Sequence, residues 1–311
     1  MPVVLPKTVV VLGPKADDIA PLLRAALPKL TVVEGGAAPS GPYAIITFSP
    51  GPEIAHYPDA DWVHIAGAGA NGLLDRLAEF DMSPRLITRT VGRMGQQIGE
   101  YALSYIFADA QKHALRRELQ VARNWDSAAG TPDIAADRTA LILGTGGIGG
   151  GVALSLQAIG MAVLGASRSG RIKPPFATAM RLDGLPDLPD VDVCIGALPL
   201  TPQTKGLIGE RLFAKLTGAL FINVGRGATA DMDAVVAALD RGHLRHAVLD
   251  VVPTEPLPKE SPLWAHEKIT ITPHVSGITL NADTVAAFVT AYRAVEAGIQ
   301  PPLQVDAKAG Y

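Results

Sequence analysis

The sequence is short of several things, and each shortage excludes something. Among 311 residues there is one cysteine, Cys194. A lone thiol closes no internal disulfide, which fits a reducing compartment. Lys and Arg number 27 against 30 Asp and Glu, a formal net charge of -3. No basic excess is present to track a phosphate backbone, so nucleic acid is not an expected partner. The opening run MPVVLPKTVVVLG has no charged region ahead of its apolar residues. No signal peptide is expected, and the location is read as cytoplasmic. The seven histidines form no ligand pattern: His243 and His246 are three apart but have no cysteine or carboxylate cluster nearby. No metal site is expected. The stretch 139–167 is uncharged and long enough to span a bilayer, but Gly144, Gly146, Gly147, Gly149, Gly150 and Gly151 break it. Such a run suits a tight turn between two buried elements better than a lipid-exposed helix. No repeats or low-complexity linkers are seen, and no membrane is an expected partner.

What is present is an ordinary globular composition, 48% hydrophobic and 18% charged. At about 150 residues per domain the length gives about two domains. In the first third, apolar runs at 8–12, 30–33, 43–48, 62–65 and 86–88 read as strands, with helical spacing at 17–27 and 72–80. The alternation predicts a parallel sheet with covering helices. The proline-free segment 95–117 places Ile98, Ala102, Leu103, Tyr105, Ile106 and Ala110 on more than one face. It reads as one long helix with two partners, one of them either a second subunit or an internal core. From residue 139 the alternation restarts, with strands at 141–143, 162–165, 191–195, 220–224, 247–251 and 269–272. The fold class is α/β: two Rossmann-like domains, doubly wound parallel sheets with a cleft between them. The expected division is 1–99 plus 285–311, a flavodoxin-like substrate domain, and 100–284, the cofactor domain. A C-terminal helix at 283–297 would cross back, and two crossings suggest hinge closure.

Gly144-Thr145-Gly146-Gly147-Ile148-Gly149 matches G-x-G-x-x-G, between the strand TALIL and an apolar helix at 152–158. That context makes it a dinucleotide turn. Gly144 allows the turn, Gly146 the approach of a pyrophosphate, and Gly149 close helix–strand packing. An acid about 20 residues on normally accepts from the ribose hydroxyls. Here Ser167 and then Arg168 stand at that place, a pair suited to a 2′-phosphate. NADPH is therefore the preferred cofactor, with NADH the lesser alternative.

Three polar groups follow apolar strands in the second half: Asn223-Val224-Gly225-Arg226-Gly227, Asp250 to Pro256, and Thr272 to Gly277. Reducing a keto acid needs a cation for the carboxylate and carbonyl, for which Arg226 offers a fork of donors. It needs an acid for the forming alkoxide, for which His274 is suited. Glu255 would fix the tautomer of His274 and stabilise its imidazolium.

With these residues in view the chain resembles the D-isomer-specific 2-hydroxyacid dehydrogenases, and within them the glyoxylate/hydroxypyruvate reductase A branch. The supporting runs are GTGGIGG, ASRSGR, LPLTPQT, INVGRGA, LDVVPTEPLP, SPLWAHEKITITPH and QVDAKAGY. The resemblance implies a 2-keto acid reductase with Arg226, Glu255 and His274 as its catalytic group. It implies cofactor contacts at Gly147, Ile148, Leu198, Pro199, Val224, Gly225 and Ser276, with Asp250 meeting the nicotinamide amide. It implies that the turn Ala66-Gly67-Ala68-Gly69 gives backbone N–H groups of Ala68 and Gly69 to the substrate carboxylate, opposite Arg226. A homodimer is expected, in which Trp125 is a candidate to reach a neighbouring cleft; Trp125 and Trp264 are otherwise read as packing anchors. Asn71 stands where many relatives have Asp, and the loop Ser276-Gly277-Ile278-Thr279 also differs, so side-chain specificity stays open. A nucleotide-sensing binding protein on the same scaffold is the other class considered. Cys194, in an apolar strand, is read as an inert core residue.

Overall fold

The computed structural model describes residues 4–188 and 190–307. They form two compact units, Met1–Met94 with Ile278–Tyr311, and Gly95–Gly277. The sequence-based boundaries at 99 and 284 fall inside helices. The units divide after Met94 and after Gly277.

In chain order the first unit contains β1 (Thr8–Leu12), α1 (Ala16–Ala26), β2 (Thr31–Glu34), β3 (Tyr43–Thr47), β4 (Trp62–Ile65), α2 (Asn71–Glu79) and β5 (Leu86–Arg89). All pairings are parallel, in the order β2-β1-β3-β4-β5. The runs VVVL and AIIT are buried throughout, as expected of strands covered on both faces.

The second unit contains α3 (Met94–Ala110, its first residue still in the first unit), α4 (His113–Val121), β6 (Thr139–Leu143), α5 (Gly147–Ala158), β7 (Ala162–Ser167), β8 (Thr178–Arg181), β9 (Val193–Gly196), α6 (Glu210–Phe213), β10 (Ala219–Asn223), α7 (Met232–Asp240), β11 (Leu244–Leu249) and β12 (Ile269–Ile271). The chain then returns to the first unit as α8 (Asn281–Glu296), whose Phe288 stacks on Trp62 with ring centroids 4.7 Å apart. The second sheet runs β12-β11-β10-β9-β6-β7-β8, all parallel. Its strand order reverses between β6 and β9, and ligands of such sheets bind outside the strand ends at that point.

The uncharged stretch 139–167 resolves into β6, α5 and β7, and no described helix is long and apolar enough to cross a membrane. Two sequence expectations need correction. The segment 95–117 is two helices, because Lys112 takes a left-handed φ of 51° between them. An edge strand, β8, was missed: TAMR has no apolar alternation and is only partly buried. His246 lies within β11, its Nε2 bonded to Thr270 Oγ1 (2.9 Å). Cys194 is fully buried, which pushes its thiol up to about 12; it is inert as a nucleophile.

Candidate active site

The cofactor turn follows from what β6 meets at its end. Gly144 has φ +111°, and a Cβ there would lie 2.6 Å from the Ala197 carbonyl oxygen beyond β9. At Gly149 a Cβ would run into the Gly144 carbonyl. Both positions therefore exclude any side chain. Gly146 is the opposite case: nothing lies within 4 Å of an added Cβ, so its outer side is open. It caps α5 with no side-chain bond, and the first intrahelical bond runs from Gly150 N–H to Gly146 O (2.8 Å). The N–H groups of Gly147, Ile148 and Gly149 precede that bond in the first turn of the helix, where the dipole is positive. This cradle fits a pyrophosphate.

At the end of β7 the Ser167 hydroxyl accepts from Gly170 N–H (3.2 Å), leaving its proton free to donate. Arg168 is exposed, as are Arg171 and Lys173. The loops after β9 and β10 press together, since a Cβ on Gly225 would lie 2.6 Å from Leu198 O. Leu198 and Val224 are buried and Pro199 half-buried, forming one wall beside the turn.

Three strand ends carry the candidate catalytic side chains. After β10, Arg226 O accepts from Thr229 N–H (3.0 Å) and Thr229 Oγ1 (2.6 Å), which fixes the backbone. Its Nη1 donates to Gly225 O (2.7 Å), which aims the guanidinium. Burial pulls this guanidinium below its ordinary value and the Glu255 charge opposes that shift; the group stays cationic. Gly227 was not anticipated from the sequence. A Cβ on it would collide with the Val252 backbone, so this glycine lets the Arg226 loop lie directly on the loop that carries Glu255.

After β11, Glu255 Oε1 accepts from Val252 N–H (3.1 Å) and Oε2 meets His274 Nδ1 (2.8 Å). A carboxylate can only accept, so Nδ1 carries the proton of neutral imidazole and Nε2 is left for chemistry. His274 has a left-handed φ of 56°. Such a conformation in a non-glycine residue costs about 1–3 kcal/mol and persists only where its surroundings impose it. His274 N–H donates to Asp250 O (2.9 Å) and Thr272 O (3.0 Å).

Asp250 itself is buried, and its carboxylate gathers the loop: Oδ1 accepts from Thr272 Oγ1 (2.6 Å) and Val275 N–H (2.8 Å), and Oδ2 from Ser276 N–H (2.9 Å). Arg226, Glu255, His274, Asp250 and Ser276 thus converge on adjacent strand ends. Ala68 and Gly69 belong to the other unit, in the turn after β4, where Arg89 Nη1 donates to Ala68 O (3.2 Å) and Thr90 N–H to Gly67 O (3.1 Å). Trp125 is not a packing anchor: it is 96% exposed. Trp264 is also exposed, with its indole N–H on Pro258 O (2.9 Å).

A glycine cradle at the switch point, and an acid-paired imidazole with a desolvated guanidinium on neighbouring strand ends, are what hydride transfer from a nicotinamide dinucleotide requires. Fold and site define an NAD(P)-dependent oxidoreductase. Residues 103–276 match the family model for the NAD-binding domain of D-isomer specific 2-hydroxyacid dehydrogenases. Glyoxylate/hydroxypyruvate reductase A of Serratia proteamaculans (strain 568) is 35% identical over 282 residues, 86% of this chain and 87% of that protein. The crystal structure of a D-isomer specific 2-hydroxyacid dehydrogenase from Xanthobacter autotrophicus Py2, in complex with NADPH and MES, aligns with TM-score 0.81 at 30% identity, over 97% of this chain and 99% of that one. That of the NADPH-dependent glyoxylate/hydroxypyruvate reductase of Sinorhizobium meliloti, in complex with NADP and sulfate, gives TM-score 0.82 at 27% identity, over 98% and 100%. The chain belongs to the D-isomer specific 2-hydroxyacid dehydrogenase family.

Proposed function

We propose that the protein reduces short 2-keto acids, glyoxylate and hydroxypyruvate among them, to 2-hydroxy acids, with NADPH preferred over NADH. The observation that carries this reading is the His274–Glu255 pair at 2.8 Å, set on strand ends beside the Arg226 loop. The cofactor is held by Gly144, Gly146, Gly147, Ile148 and Gly149 at its pyrophosphate, and by Leu198, Pro199, Val224, Gly225, Asp250 and Ser276 beyond it. When bound in reduced form it supplies the hydride. Arg226 binds the substrate carboxylate and polarises the carbonyl through charge-assisted bonds. His274 gives the proton on Nε2 to the carbonyl oxygen, and Glu255 stabilises the imidazolium that precedes this transfer. In the reverse direction neutral His274 accepts the hydroxyl proton. Reduction consumes one proton and one hydride per carbonyl.

Support for NADPH comes from the end of β7, where a hydroxyl and an exposed guanidinium replace the usual acid. NADPH absorbance is expected to fall on adding glyoxylate or hydroxypyruvate, with kcat/KM higher for NADPH than for NADH. Ser167→Asp is expected to move that ratio toward NADH by roughly tenfold or more, since a carboxylate repels a 2′-phosphate at close range. Turnover confined to longer 2-keto acids would reassign the specificity. Tight cofactor binding with no turnover across a 2-keto acid panel would sink the reductase reading.

The expected homodimer also belongs to this proposal, as does a cytoplasmic location, where reduced dinucleotide is available. The amphipathic helix α4 buries no residue within its own chain; its last residue, Val121, is 73% exposed, and Trp125 just beyond it is 96% exposed. Such a patch suits a second copy of the chain. Sedimentation equilibrium is expected to give the dimer mass, with Val121→Asp combined with Trp125→Asp shifting it to monomer. A monomeric wild type at micromolar concentration would overturn the dimer.

A further inference from the structure

The strand that delivers His274 is poorly placed to hold it. β12 has three residues and lies at the sheet edge, paired only with β11. No neighbouring strand fixes its outer side, yet the residue three positions beyond it must keep a left-handed φ and a set imidazole direction. Something other than the ladder has to impose that conformation.

The hydrogen bonds around Thr272 show what does. Its hydroxyl lies 2.6 Å from Asp250 Oδ1 and 2.7 Å from the Tyr101 hydroxyl on α3. The hydroxyl of Thr272 has one proton, and the Asp250 carboxylate can only accept it. Tyr101 must then be the donor to Thr272. The chain therefore runs in one direction, from Tyr101 O–H to Thr272 O–H to Asp250. The same carboxylate takes the N–H groups of Val275 and Ser276, the two residues after His274. His274 is thus bracketed at its −2, +1 and +2 neighbours by one buried anion. From α3, Tyr101 reaches that anion through the Thr272 hydroxyl.

We propose that Tyr101 and Thr272 are positioning residues for the reaction, fixing the direction of the His274 imidazole through Asp250. The proposal rests on the reductase reading above. Tyr101 touches neither substrate nor cofactor in this scheme. It acts by donating to Thr272 while Thr272 donates to Asp250, which holds the Thr272 hydroxyl from both sides. With the Thr272 hydroxyl removed, Oδ1 keeps one donor of two and Tyr101 loses its acceptor. The loop then samples other turns, and a shift of about 1 Å at a reacting group costs up to about 10²-fold in rate.

The test is a double-mutant cycle on 2-keto acid reduction with NADPH. Thr272→Val, which keeps shape and removes the hydroxyl, is expected to lower kcat by roughly 10–100-fold with the substrate KM within about threefold. Thr272→Ser is expected to restore kcat to within about threefold, a rescue that a packing role for the methyl group would not give. Tyr101→Phe is expected to lower kcat by about 3–10-fold, and the double variant to be no slower than Thr272→Val alone, because Tyr101 acts only through Thr272. Independently of turnover, the ring 15N–1H signals of His274, assigned with His274→Asn, should broaden or split in Thr272→Val and return in Thr272→Ser. Unchanged kcat and ring signals in Thr272→Val would overturn the proposal, as would Tyr101→Phe multiplying in full with it. Failure of the reductase reading looks different: the wild type itself would not turn over, and the ring signals alone would decide the positioning role.

Discussion

Replacing His274 with Asn is expected to lower kcat for 2-keto acid reduction by roughly 10²–10⁴-fold, with dinucleotide affinity and melting temperature close to wild type. Asn is the informative substitution because the position has φ +56°. Asn accepts left-handed backbone better than most side chains, so the loop around Asp250 is retained and only the acid is lost. Ala would remove the acid and strain the turn at the same time. The size of the effect follows from the chemistry, because without a proton donor near the carbonyl oxygen the alkoxide must form unprotonated or wait for water. Oxidation of the 2-hydroxy acid should fall by a similar factor, since the same ring is the base in that direction. Stopped-flow or steady-state NADPH absorbance reads both directions. A decrease of less than about threefold would remove His274 from the chemistry, and with it the role proposed for Glu255.

Arg226→Ala is expected to lower kcat/KM by roughly 10³-fold, equivalent to about 4 kcal/mol of transition-state stabilisation. Two roles are lost together, the carboxylate clamp and the polarisation of the carbonyl, so both KM and kcat should move. The guanidinium is mostly desolvated and held by Gly225 O at 2.7 Å. Its field is therefore weakly screened, and its orientation is already set before substrate arrives. Arg226→Lys separates charge from geometry. A lysine keeps the cation but offers no planar fork, so a substantial part of the loss should persist. Kinetics in Arg226→Ala within about threefold of wild type would exclude the residue from the site. A change confined to KM would leave it as an anchor with no part in the chemistry.

Much of the architecture could be read from local pattern. Parallel strands buried on both faces are short β-branched runs, and residues 8–12, 43–47 and 139–143 announce themselves in that way. The glycine turn is legible because steric exclusion leaves no substitute: the Gly149 position ends against a carbonyl oxygen, and no other residue fits there. What the pattern misread has a common cause. The break at Lys112 comes from one backbone angle in a polar stretch without Gly or Pro. The strand β8 has little apolar content because it forms an edge and is only partly covered. Trp125 is a large apolar residue, which predicts burial, and burial within its own chain is what it lacks.

The site divides along the same line. Residue type and position after an apolar strand made Arg226, Glu255 and His274 the candidates for the chemistry, because hydride transfer to a carbonyl calls for a fixed cation and a proton donor near neutrality. Nothing in their spacing says that Glu255 and His274, 19 positions apart, meet at 2.8 Å. Nor does it say that Gly227 lets the Arg226 loop rest on Val252, or that Tyr101, 171 positions earlier, steadies Thr272. Sequence alone determined the layered α/β plan and the dinucleotide turn and supplied the candidates for the reactive groups, all of which depend on neighbours within a few residues. Only the tertiary structure decided which hydroxyl, carboxylate and backbone N–H groups aim those reactive groups. Aiming depends on distances between strand ends, and parallel strands bring together residues that the chain keeps far apart.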